Sequence, residues 1–167
     1  MASSGTSIAV AEAVWEQIKS SRSASDDHLS ILHFLFGKNL ERATRIVDQG
    51  GVRKLSATPS RRSLFLVHSR ALSFPPATEM LLLLLLLLLT TLGDGAFQVV
   101  GESRKKEEYI CFPEHHCTCY SFFYDVVNRG EQLCCKHQIA ARLAEAVGQL
   151  EEMEVSDEQL AVMLSKL

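Results

Sequence analysis

Apolar residues recur at helical spacing through the first third of the chain. Ile8, Ala11, Trp15 and Ile18 stand at i, i+3, i+7 and i+10, one stripe of an amphipathic helix that Thr6 or Ser7 can cap. A polar break over residues 20–25 separates it from a second helix, for which Asp26 or Asp27 is the expected cap. There Leu29, Leu32, Leu35 and Phe36 are the apolar positions and Gly37 the stop. Asn39 can begin a third helix, with Leu40, Ala43 and Val47 on one face and Gly50-Gly51 at its end. All three stripes read as ordinary core.

The pattern changes after Arg62. Residues 63–96 hold Leu64-Phe65-Leu66-Val67, then Phe74-Pro75-Pro76, then an unbroken leucine run over residues 81–89. As a helix, residues 80–92 would span roughly 20 Å, short of the ~30 Å of a bilayer core, so no membrane span is expected. A homopolymer also offers no distinct face for packing. Periodicity returns with two short β-prone runs, residues 97–100 and 109–112, joined by a polar connection led by Gly101 and read as a hairpin. Phe122, Phe123, Val126 and Val127 predict a short helix ended by Asn128-Arg129-Gly130. Ile139, Leu143 and Val147 line another, running from near Lys136 to Gly148. Ser156 and Gln159 form a capping box for a last helix, with Val155 and Leu160 as its staple and Leu160, Leu164 and Leu167 as its stripe.

The expected architecture is therefore a small α+β fold. Residues 1–62 form a helical N-terminal part, 63–96 an atypical leucine-rich insertion, 97–150 a hairpin with a metal site and 151–167 a C-terminal helix. Charge narrows the function. With 17 Lys+Arg against 20 Asp+Glu the net charge is −3, which supplies no basic excess for gripping nucleic-acid phosphates. The densest basic run, Arg104-Lys105-Lys106, is flanked by Glu102, Glu107 and Glu108 and reads as a solvated turn. The first 20 residues carry neither a secretory core nor a mitochondrial-type pattern, so a reducing intracellular setting is expected.

In that setting clustered Cys and His point to metal and not to disulfides. All five cysteines fall between residues 111 and 135. Cys117-Thr118-Cys119 and Cys135-Lys136-His137 make two short ligand pairs 15 residues apart. Three thiolates and an imidazole suit one tetrahedral structural zinc, and a small domain with little core gains most from such a tie. Cys134, His115 and His116 stand near enough in sequence to compete as ligands, whereas Cys111 on a strand reads as a buried small hydrophobe. Four protein ligands leave no open position for catalysis, and no phosphate-binding loop is present, so no enzyme is expected.

The order Cys-x-Cys, spacer, Cys-x-His and then at once an apolar helix resembles the SWIM-type zinc finger. The flanks narrow the likeness: Leu35-Phe36-Gly37, residues 43–48, the Ser60-Arg61-Arg62 turn, residues 97–101 and residues 155–160. Together they are similar to the family of small SWIM-type subunits of the Shu recombination complex, over most of residues 8–62 and 97–167. The resemblance implies a nuclear, non-enzymatic subunit whose zinc ligands are Cys117, Cys119, Cys135 and His137. It would bind a RecA-like recombinase paralogue and meet single-stranded DNA only through that complex, with no membrane role. A SWIM-type substrate adaptor for ubiquitin ligation and a direct single-stranded DNA binder, using residues such as Arg104, Tyr120 and Phe122, are the alternatives. Residues 63–96 depart from the family pattern and read as a translated retained intron or a gene-model error, with a real insertion folded as a loose apolar helix as the alternative.

Overall fold

In a computed structural model of the chain, which describes residues 4–68 and 108–165, the N-terminal stripes fold as three helices. They are α1 (Ser4–Ser21), α2 (Asp26–Phe36) and α3 (Lys38–Asp48). The cap of α2 is one residue earlier than the acids suggest. Ser25 Oγ accepts from the His28 N–H at 3.3 Å, and His28 Nδ1 accepts in return from the Ser25 N–H. Asp26 and Asp27 lie instead in the first turn, where their charge suits the positive end of the helix dipole. Ala11, Val14, Trp15 and Ile18 turn inward from α1, while Ile8, the first member of the predicted stripe, is left half in water.

Five strands follow: β1 (Val52–Thr58), β2 (Ser63–His68), β3 (Glu108–Phe112), β4 (His116–Cys117) and β5 (Glu151–Ser156). They form one sheet in the order β4-β3-β2-β1-β5, with β1 and β5 parallel and the other pairs antiparallel. This corrects three sequence expectations. The N-terminal part is not wholly helical, because β1 lies within residues 1–62. Its Arg53-Lys54 pair hides the apolar rhythm of Val52, Leu55 and Ala57. The segment set apart as an insertion from residue 63 begins with β2, the middle strand of the sheet. An unbroken run such as Leu64-Phe65-Leu66-Val67 is what a strand covered on both faces requires. Residues 151–156 are strand, so the C-terminal helix begins only at Asp157.

The second run of the predicted hairpin is β3, whose neighbours are β2 and β4, in registers that include Phe65↔Cys111 and Cys111↔Cys117. Residues 97–100 and the leucine run lie outside the described residues. The Ser60-Arg61-Arg62 turn is the β1–β2 connection, closed by Ala57 N–H to Arg62 O at 2.8 Å, with Arg61 left-handed at φ +57°.

Alternation along β2 sorts the sheet into two faces. Phe65 and Val67 join the main core, packed with Val52 and Cys111 under the helices, while Leu64 turns the other way to meet Leu55 and Ala57. On the first face lies α4 (Lys136–Val147), packed between α1 and α3 and against the strands. Ile139, Ala140, Ala141, Leu143 and Ala144 are all buried, and the alanines allow close approach on several sides. Gly148 ends α4 at φ +75°, a left-handed cap that favours glycine. Bidentate hydrogen bonds of 2.7 Å from Arg142 to Glu12 tie α4 to α1. They hold the Glu12 carboxyl below the usual carboxylate range, although burial opposes its charge.

The second face is closed by α5 (Asp157–Leu164), which places Leu160 against Leu55 and Leu64. Its capping box is present: Ser156 Oγ accepts from Gln159 N–H at 3.2 Å, and Gln159 Oε1 accepts from Ser156 N–H at 3.0 Å. Ser156→Ala is expected to cost about 1 kcal/mol in denaturant unfolding, since the box satisfies two end donors of so short a helix. Among the described residues no helix is long and apolar enough to cross a membrane.

Candidate metal centre

The two ligand pairs arrive from opposite ends of the zinc module. Cys117 ends β4, where cross-strand pairing sets it opposite Cys111. Thr118 locks the loop to β3: its N–H donates to Ile110 O at 3.0 Å, and its Oγ1 accepts from Ile110 N–H at 3.1 Å. Cys119 then precedes a π-helical segment, Phe122–Asn128, and its Sγ accepts from Phe122 N–H at 3.3 Å. The short helix read from Phe122 and its apolar neighbours is therefore present, in the wider π form.

Cys135 is the N-cap of α4, and His137 lies in its first turn. Gln138 closes this end by accepting from the Cys135 N–H at 3.1 Å, while its amide donates to Pro113 O at 3.3 Å. Asn39 of α3 donates to Cys134 O at 3.2 Å, which fixes the approach of the chain to Cys135. A thiolate at a helix N-terminus is favoured by the unpaired N–H groups and the dipole. The helix start thus positions the second pair and also stabilises its charge.

The ligand atoms of Cys117, Cys119, Cys135 and His137 all lie within 4.8 Å of one another, and every one of these residues is buried. His137 turns Nδ1 toward Cys117 Sγ at 3.7 Å, and its ring stacks on Tyr109 at 4.4 Å between centroids. Its Nε2 is buried with no hydrogen-bond partner. Cys111 is buried next to the cluster, Cys134 is half-buried outside it, and His115 and His116 are exposed. Burial pushes the Cys134 thiol up, as expected of a cysteine that stays protonated.

The donor set fits zinc. Packed together without a cation, the thiols act on one another. Hydrogen bonds from Cys117 and Cys135 draw Cys119 far below the ordinary thiol range. The hydrogen bond with Cys111, then that with Cys119, pushes Cys117 far above it, and those with Cys117 and Cys119 do the same to Cys135. Three buried thiolates can coexist only around a positive ion, and three sulfurs with one imidazole complete a tetrahedral shell. The buried cluster of Cys117, Cys119, Cys135 and His137 fits one structural zinc ion. Sequence spacing picked out the four residues that cluster, but their supports were harder to see. Tyr109, Thr118 and Asn39 leave no local signal, whereas Gln138, three residues after Cys135, has the spacing of a capping box.

The chain is similar to curated proteins of several species. It is 31% identical over 142 residues to zinc finger SWIM domain-containing protein 7 of Danio rerio, a match covering 84% of this chain and 76% of the relative. Its identity to the protein of that name from Homo sapiens is 26% over 148 residues, 88% of this chain and 81% of the relative. A homolog of that name from Dictyostelium discoideum is 22% identical over 136 residues, 81% of this chain and 65% of the relative. No protein-family model matches the chain, and no solved structure matches it.

Proposed function

The chain belongs to the family of zinc finger SWIM domain-containing protein 7, and on that premise we propose that it is a non-enzymatic subunit supporting homologous recombination in the nucleus. In this reading it binds a RecA-like recombinase paralogue and reaches single-stranded DNA only through that complex. The observation that carries the reading is the closed site. Four buried protein ligands leave the metal no position for a substrate, so zinc supplies shape and the activity lies on the surface that it builds.

That surface has the character of an interface. Phe123, Tyr124 and Val127 of the π-helical segment, with Tyr120 just before it, are 40–75% exposed. Large apolar side chains gathered in the open in one short segment mark an interaction surface. Ile139, Leu143 and Leu160, by contrast, are buried. Net charge −3 and the absence of a phosphate-binding loop favour action through another protein.

Affinity purification of the tagged chain from nuclei tests this. Recovery of a RecA-like paralogue, lost when Cys119→Ala removes the zinc, is the expected result. Recovery of a ubiquitin ligase without a recombinase, or salt-sensitive binding of single-stranded DNA by the chain alone, would replace the reading with one of its alternatives.

A further inference from the structure

We propose that the edge of β5, open among the described residues, is a docking site for an extended segment of a partner protein, one in which basic and apolar residues alternate. The segment would add to the five-stranded sheet beside β5. This names the chemistry of the segment and not the protein that carries it, so it stands apart from the recombinase reading.

Among the described residues β5 pairs with β1 alone, over the register from Arg53↔Glu151 to Thr58↔Ser156. In a parallel pair every second residue of an outer strand turns its N–H and C=O away from the ladder. Such groups invite another strand unless something covers them. Among the described residues only the end of this row is occupied, where Gln159 accepts from the Ser156 N–H. All residues of β5 except Val155 are exposed.

The side chains beside that edge specify the occupant. Met153 and Val155 stand on one face in register with Leu55 and Ala57, and Val155 packs against the small core closed by α5. Met153 is 43% exposed, which leaves apolar surface at the border of that core. Glu152 and Glu154 stand on the other face, in register with Lys54 and Ser56. The cations nearby are already engaged: Lys54 pairs with Glu145 at 2.6 Å and Arg53 with Glu151 at 2.8 Å. Among the described residues neither Glu152 nor Glu154 has a cation partner. Asp157 and Glu158 add further negative charge just beyond the strand.

An incoming strand therefore meets an apolar border on one face and two unpaired carboxylates on the other. A second copy of this chain is the wrong occupant, because β5 against β5 sets glutamates opposite glutamates, and like charges across a ladder are destabilising. A strand alternating Lys or Arg with apolar residues satisfies both faces together with the open backbone groups.

The test uses the full zinc-loaded chain and three synthetic peptides. One alternates lysine with valine, one alternates glutamate with valine, and one has proline in place of each valine of the first. Fluorescence anisotropy should show binding of the lysine-valine peptide, and amide exchange should slow within residues 151–156. The proline peptide keeps the charge but cannot form the ladder, and it should bind at least about tenfold more weakly. The double variant Glu152→Lys/Glu154→Lys, with its zinc retained, should weaken the lysine-valine peptide by about tenfold or more. Equal binding of the proline peptide would show attraction by charge without a strand. That result, failure of the lysine-valine peptide to bind the zinc-loaded chain, or binding with exchange unchanged in β5 would overturn the proposal.

Discussion

His137→Ala strips the zinc and unfolds the domain. Elemental analysis of the purified variant should fall from one equivalent of zinc to near none, and circular dichroism should lose the cooperative transition of the parent. The size of the effect follows from two magnitudes. A structural zinc site contributes on the order of 10–16 kcal/mol to the folding of small metal-bound domains. The whole stability of a domain is typically about 5–15 kcal/mol. Cys119→Ala should behave in the same way, because it removes another of four ligands. Cys134→Ala is the control: its thiol lies outside the cluster, and full zinc content is expected. Retention of a full equivalent by both His137→Ala and Cys119→Ala would refute the assignment.

Acid should act as a mild version of the same lesion. The metal holds its three cysteine ligands as thiolates, and that charged form is lost as pH falls. Protons also compete with the metal for every ligand. Zinc content measured across a descending pH series should therefore drop together with the folded fraction.

Ile139→Ala is expected to destabilise the zinc-loaded protein by about 2–5 kcal/mol, the usual cost of an aliphatic-to-alanine cavity in a packed core. Ile139 is 1% exposed and lies two residues beyond His137 on α4. The cavity would loosen the helix that carries the second ligand pair, so competition with a chelator should show weaker zinc retention as well. Metal stoichiometry at saturating zinc should stay at one. Phe34→Ala gives the contrast: although its side chain is larger, it is 89% exposed, and the change should stay within about 0.5 kcal/mol. Denaturant midpoints of the two variants compare these directly. A cost for Phe34→Ala matching that of Ile139→Ala would mean that Phe34 is buried in solution, by self-association or by another part of the chain.

The elements legible in the sequence share a local cause. Amphipathic spacing over three or more turns marks α1, α2, α3 and α4, and the Ser156/Gln159 box marks the start of α5, because each depends on residues within one helix. The ligand pairs were legible for a similar reason, since sulfur and imidazole at short spacing have few other uses in a cysteine-dense stretch. β1 and β5 were not. Arg53, Lys54 and three glutamates give them the composition of solvated segments, and only pairing with each other and with β2 makes them strands. Strand propensity depends largely on what lies beside the strand and covers its faces. The error over residues 63–68 has the same origin, for an apolar run beside a leucine homopolymer looks like part of it until β1 and β3 are seen to flank it.

By itself the sequence determined the helices, the two ligand pairs and the lack of any basic or nucleotide-binding device, since those follow from residue type and short-range spacing. The tertiary structure decided everything that depends on distance between remote segments. It selected Cys135 over Cys134, because the N-cap of α4 aims one thiol at Cys117 and Cys119 and leaves its neighbour outside. It turned Ile139 and Leu160 inward and left Tyr120, Phe123, Tyr124 and Val127 in water. Hydrophobic spacing can show that a helix has an apolar face, but what covers that face is set by the packing of segments far apart in the chain.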